Sequence, residues 1–176
     1  MKKRIWLLPL LILTSVLLTG CALQTVNEMY ALPKRSKEYD NLQSAIDSAM
    51  YGLSYSAPVS GENQQTVQMA DLDGDGVEEY IVFAQGSSAN PLQVLIFRQE
   101  EDGTCRLMEV IQSNGSAFEQ VEYVQMDDAP GYELVVGRQL SDQVLRSVSV
   151  YSFSGGSAEQ LMMVCLLYTS PSPRDR

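Results

Sequence analysis

Residues 71–79 read Asp-Leu-Asp-Gly-Asp-Gly-Val-Glu-Glu, an acidic, glycine-turned loop between two strand-like runs. Carboxylates at Asp71, Asp73 and Asp75, the backbone carbonyl of Val77 and a further oxygen from Glu79 fall at loop positions 1, 3, 5, 7 and 9, with Gly76 at position 6 for the sharp turn. Oxygen ligands at alternating positions around such a turn suit a hard cation, and the spacing predicts a calcium site. Four like charges gathered in one short turn repel each other unless a counter-ion sits among them. The ion is therefore expected to brace the hairpin as well as to bind it.

Other chemistry is poorly provided for. The chain contains no histidine, which disfavours serine-hydrolase and most zinc chemistry. Acid pairs such as Asp127 with Asp128, or Glu78 with Glu79, would suit glycoside cleavage in type. Adjacent residues on a strand point to opposite faces, however, so these are poor cooperating pairs. Cys105 stands alone and reads as a small hydrophobe on a strand. Tyr55, Tyr80 and Tyr132 are candidates to line a sugar site, with a core or interblade role favoured.

The first residues read as an export signal. Lys2, Lys3 and Arg4 precede a short apolar stretch from Ile5 to Leu18, too short to span a bilayer comfortably. Leu18-Thr19-Gly20-Cys21 resembles the bacterial lipobox, in which the cysteine sulfur is acylated and the preceding peptide removed. That resemblance implies a signal peptide over 1–20, a lipidated tether over 21–36 and a domain held at the outer face of the cytoplasmic membrane or cell surface by acyl chains such as palmitate. Setting aside Lys2, Lys3, Arg4, Arg174, Asp175 and Arg176 leaves 7 bases against 21 acids, a net charge of −14 that argues against nucleic acid as a partner. Lys34, Arg35 and Lys37 lie close after the lipid site, where they read as a solvated linker or as contacts to anionic headgroups.

The loop is positioned by repeats. Residues 67–110 align without a gap on 121–164, an offset of 54, with identities that include Val67/Val121, Asp73/Asp127, Glu79/Glu133, Val82/Val136, Val94/Val148 and Val110/Val164. Each repeat is expected to form four short strands, in the first over Thr66 to Ala70, Glu79 to Ala84, Leu92 to Arg98 and Cys105 to Ile111. Runs such as Tyr80-Ile81-Val82-Phe83 suit strands covered on both faces. The second loop, Gln125 to Glu133, keeps only Asp127 and Glu133 of the four aligned carboxylates. Its Pro130-Gly131 turn can close the hairpin without metal, so it is expected to be structural.

The expected architecture is mainly β, a partial β-propeller of about two four-stranded blades, over 67–120 and 121–164. A loop over 54–66 and one amphipathic helix within 37–53 precede them. The helix runs from about Lys37 to Met50, capped by Ser36 and stopped by Gly52, with Tyr39, Leu42, Ile46, Ala49 and Leu53 on its apolar stripe. It is expected to lie against the first blade. Residues 165–176, CLLYTSPSPRDR, resemble a translated sequencing-library adapter, so native sequence after Val164 is expected to be missing.

The strand, Asp-x-Asp-Gly-Asp-Gly loop, strand arrangement resembles the FG-GAP and VCBS-type repeats of integrin-like propellers, and the chain resembles clostridial-type lipoproteins that carry them. The resemblance implies calcium held by Asp71, Asp73, Asp75 and Glu79, with Glu79 standing where family members often have Asp. An EF-hand is the competing pattern, but position 12 is Val82 where a bidentate Glu belongs. Two readings of function follow: a membrane-anchored module that binds a glycan or an envelope protein, or a fragment of a cell-envelope polysaccharide-active enzyme whose catalytic part is missing.

Overall fold

The computed structural model describes residues 36–140, 145–154 and 156–167. The signal segment, Cys21, the tether up to Arg35 and the tail beyond Leu167 lie outside the described residues. Among those described, no helix is long and apolar enough to cross a membrane.

Helix α1 spans Lys37–Ala49. The Ser36 side chain accepts the Tyr39 N–H at 3.2 Å, and Glu38 and Asp40 place negative charge at the positive end of the helix. The chain leaves through Gly52 at φ 75, a left-handed turn that glycine adopts without a Cβ penalty. Buried Ile46, with the partly buried Leu42, Ala49 and Leu53, packs against Val82, Ala84, Leu95 and Phe97. Tyr39 departs from the expected stripe and is 47 % exposed.

Two antiparallel sheets follow. The first comprises β1 (Ser54–Tyr55), β2 (Val67–Ala70), β3 (Glu79–Gln85), β4 (Leu92–Gln99) and β5 (Cys105–Ser113) in the order β1-β3-β4-β5, with β2 also paired to β3. β1 pairs with Gln85 and Ala84, β2 with Glu79 to Val82, so the two short strands share β3 end to end. The second sheet is β6 (Ala117–Val124), β7 (Glu133–Gln139), β8 (Leu145–Ser154) and β9 (Ser157–Leu167), in sequence order.

Period-two alternation explains why the central strands are apolar at every position. Ile81 and Phe83 of β3, with Val94 and Ile96 of β4, face Phe118, Val121, Leu134, Val136, Tyr151 and Phe153 of the second sheet. The intervening Val82, Ala84, Leu95 and Phe97 face α1. Phe83 and Phe118 meet edge to face across the sheets, 5.1 Å between ring centres. Each such fully buried side chain contributes about 1.5–3 kcal/mol relative to exposure.

The internal repeat is visible in the backbone. β3 and β7 coincide under the offset of 54, and the bulge between Ile96 and Phe97 recurs between Val150 and Tyr151. The fourth strand departs from the gapless alignment. Val94 pairs with Ile111, whereas Val148 pairs with Val164, the residue aligned with Val110. The β8–β9 hairpin closes at Ser154↔Ser157, tighter than Gln99↔Cys105 in the first repeat, and this advances β9 by one residue. β9 is the edge strand of its sheet, and Leu161, Met162, Met163 and Val164, from both of its faces, are exposed. Backbone pairing extends past Val164, with Cys165, Leu166 and Leu167 opposite Ser147, Arg146 and Leu145.

Candidate metal centre

The acidic loop is the connection between β2 and β3, and its own backbone shapes it. Gly74 and Gly76 adopt φ 74 and φ 86, which aims successive N–H groups inward. Asp71 accepts from the Gly74 and Gly76 N–H groups at 2.7 and 2.9 Å. Asp73 Oδ1 accepts from Asp75 N at 3.3 Å, and Asp75 Oδ1 from Val77 N at 2.8 Å. Glu79 Oε2 reaches back to the Leu72 N–H at 3.0 Å and is 3 % exposed.

These bonds bring Asp71, Asp73 and Glu79 together, with one oxygen of each lying within 4.8 Å of the others. Oxygens this close could be shared by one hard cation, which calcium exemplifies with oxygens at about 2.3–2.6 Å. Asp75 lies at the outer edge of the trio with its side chain 45 % exposed, and Val77 is exposed on the turn. Of the five expected ligands, three thus converge and two flank them.

A residue that the sequence reading did not include sits in the same place. The Arg98 guanidinium on β4 pairs with Asp73, with Glu79 Oε1 at 2.8 Å and with Asp75 Oδ2 at 3.6 Å. The signal for it is register: Tyr80 pairs with Phe97, so the next step along the ladder sets Glu79 opposite Arg98. One guanidinium offsets one of the four carboxylate charges. Burial pushes the Glu79 carboxyl above its ordinary value, the Leu72 N–H opposes that, and the charges on Asp75 and Asp71 add to it. The residues therefore fit a divalent cation: Asp71, Asp73 and Glu79 would hold it, with Asp75 and the Val77 carbonyl within the same turn. Arg98 must yield Asp73 and Glu79 for the ion to take them, and its side chain is 24 % exposed, with solvent to move into.

The second loop repeats the framework with only two of the four aligned carboxylates. Glu133 Oε2 accepts from Met126 N at 2.8 Å and Asp127 Oδ1 from Ala129 N at 2.7 Å, the counterparts of Glu79 with Leu72 and Asp73 with Asp75. Asp71, Asp75 and Arg98 have Gln125, Ala129 and Ser152 as their counterparts under the offset. The two loops also touch. Tyr132 N donates to the Asp71 carbonyl at 3.0 Å, and a Cβ on Gly131 would lie 2.7 Å from the Leu72 carbonyl. The Pro130-Gly131 turn thus buttresses the acidic loop, a contact set by how the sheets stack.

Elsewhere, Cys105 is a free thiol that burial pushes up, away from thiolate chemistry. Tyr80 packs beside α1, while Tyr55 and Tyr132 are exposed. No family model, curated protein or solved structure matches the chain.

Proposed function

We propose that this chain is an extracytoplasmic lipoprotein module whose first hairpin binds calcium and whose FG-GAP/VCBS-like repeats form part of a β-propeller. The observation that carries the proposal is the convergence of one carboxylate oxygen each from Asp71, Asp73 and the buried Glu79 within 4.8 Å of one another. Two four-stranded antiparallel units, stacked in series with the same bulge, support the propeller part. Leu18-Thr19-Gly20-Cys21 supports the anchor. The role is non-catalytic: calcium stiffens the loop end of the sheets, which presents a surface to a glycan or a neighbouring envelope protein.

Thermal melting of the full chain tests the site. Calcium at about 30-fold above its Kd stabilises the folded state by about 2 kcal/mol, and Asp73→Ala removes most of that gain. Equal melting temperatures with and without millimolar calcium would overturn the reading. The anchor is tested separately: Cys21→Ser moves the protein from the membrane to the soluble fraction, and continued membrane attachment argues against acylation.

A further inference from the structure

The inner face of the second sheet carries a polar group where the first sheet is apolar. Arg138 on β7 is 3 % exposed, and Ser147 and Ser149 on β8 are both 0 % exposed. Ser147 is the cross-strand partner of Arg138, and Ser149 that of Val136 two residues along the same face. Under the 54-residue offset their counterparts are Ala84, Gln93 and Leu95, of which Ala84 and Leu95 form part of the apolar cluster under α1. The repeat fold itself therefore does not demand a charge here.

The guanidinium cannot shed its proton, and a buried cation is strongly disfavoured unless an opposite charge accompanies it. Arg138 has no carboxylate partner among the described residues. Its contacts are all neutral: Ser149 Oγ at 2.8 Å from Nη2, and the Asn114 carbonyl and Oδ1 at 3.4 and 3.5 Å from Nη1, both at the limit of a hydrogen bond. Arg138 Nε and Ser147 Oγ are buried with no partner at all. Ser149 accepts from Arg138 and has no acceptor for its own hydrogen among the described residues. Three donors, Nε–H and two hydroxyls, thus gather around one positive charge without an acceptor to receive them. A surplus of donors beside a fixed cation calls for an anion.

We propose that Arg138, Ser147 and Ser149 hold a small anion between the two sheets. Complete enclosure of both hydroxyls favours the smallest class, a halide, which neutralises the guanidinium and accepts from Nε and the two serines. The site is independent of the acidic loop and of calcium.

The test uses the full chain at constant calcium and matched ionic strength. Sodium chloride and sodium bromide raise the melting temperature saturably over sodium gluconate, by about 5 °C at saturation. Arg138→Met abolishes that difference, and Ser147→Ala weakens the half-saturating concentration about tenfold, the equivalent of one lost hydrogen bond. An identical response to chloride and gluconate, or a chloride response that survives in Arg138→Met, overturns the proposal. Should Arg138→Met fail to fold, Ser147→Ala and a bromide-soaked crystal of the unaltered protein still decide. An anomalous bromide peak about 3.5 Å from Arg138 Nε and Ser147 Oγ supports the site. A water molecule or an apolar gap there, with no bromide, refutes it.

Discussion

At the scale of single residues, the acidic loop already holds one cation, and the proposed calcium would have to compete with it. Arg98 already neutralises part of the charge on Asp73, Asp75 and Glu79, and it does so from a neighbouring strand that the loop motif does not contain. Its charge is single and its side chain partly solvated, so under the proposed calcium reading a divalent ion would compete with it for the same oxygens. Arg98→Met is therefore expected to lower calcium-free stability by about 2 kcal/mol, the worth of charged hydrogen bonds left unmade. The same change should enlarge the calcium-induced rise in melting temperature, because nothing competes for the oxygens. A variant that loses stability but responds to calcium as the unaltered protein does would show that Arg98 and the ion do not share a site. Asp71, Asp73 and Glu79 were legible from spacing alone, since the loop's own glycines and N–H groups orient them. Arg98 was not, because its place depends on the β3–β4 register.

The hairpin is the next unit of organisation. Expected and observed strands in the first repeat agree closely, Thr66 to Ala70 against Val67–Ala70 and Glu79 to Ala84 against Glu79–Gln85, because turn residues bound each apolar run. The fourth strand of the second repeat was less legible. Its identities with the first place Leu161 and Val164 at the positions of Leu107 and Val110, yet the tighter turn after Ser154 shifts the pairing by one. A hairpin's turn, more than its composition, sets its register. The contact between the two loops was equally hidden, since it joins segments far apart in sequence. It gives the degenerate loop a definite task. Gly131 sits at φ 108 with its α-carbon against the Leu72 carbonyl, a place with no room for a Cβ. Gly131→Ala is expected to cost about 1–3 kcal/mol and to weaken calcium binding at a loop it does not belong to. Calcium titration of that variant checks the second part; unchanged affinity would mean that the loops are neighbours without being coupled.

At the largest scale, the helix and the two sheets of the described residues share two cores, one beneath α1 and one between the sheets. The continuous apolar runs of β3 and β4 announced burial on both faces, while the identity of each covering layer depended on topology. Tyr123 spans the sheets, donating from its hydroxyl to Gln68 Oε1 at 2.7 Å, and burial pushes its phenol far above the ordinary value of 10.0. Below that value both folded and unfolded chains keep the proton. As pH rises past it the unfolded chain ionises first, so stability falls by up to about 1.4 kcal/mol per pH unit from this residue. Denaturant titrations above pH 10 should therefore show a shallower loss for Tyr123→Phe than for the unaltered chain; parallel curves would place the phenol in contact with solvent. Whether the converging carboxylates take a divalent ion decides if the first hairpin is braced by metal or by Arg98 alone. Equilibrium dialysis of the full chain against labelled calcium at about 1 mM, within the range expected of extracellular sites, measures this directly. One ion per chain, reduced to background by Asp73→Ala, is the predicted result. No calcium retained above background by the folded, unaltered protein would contradict it and leave Arg98 as the loop's sole counter-charge.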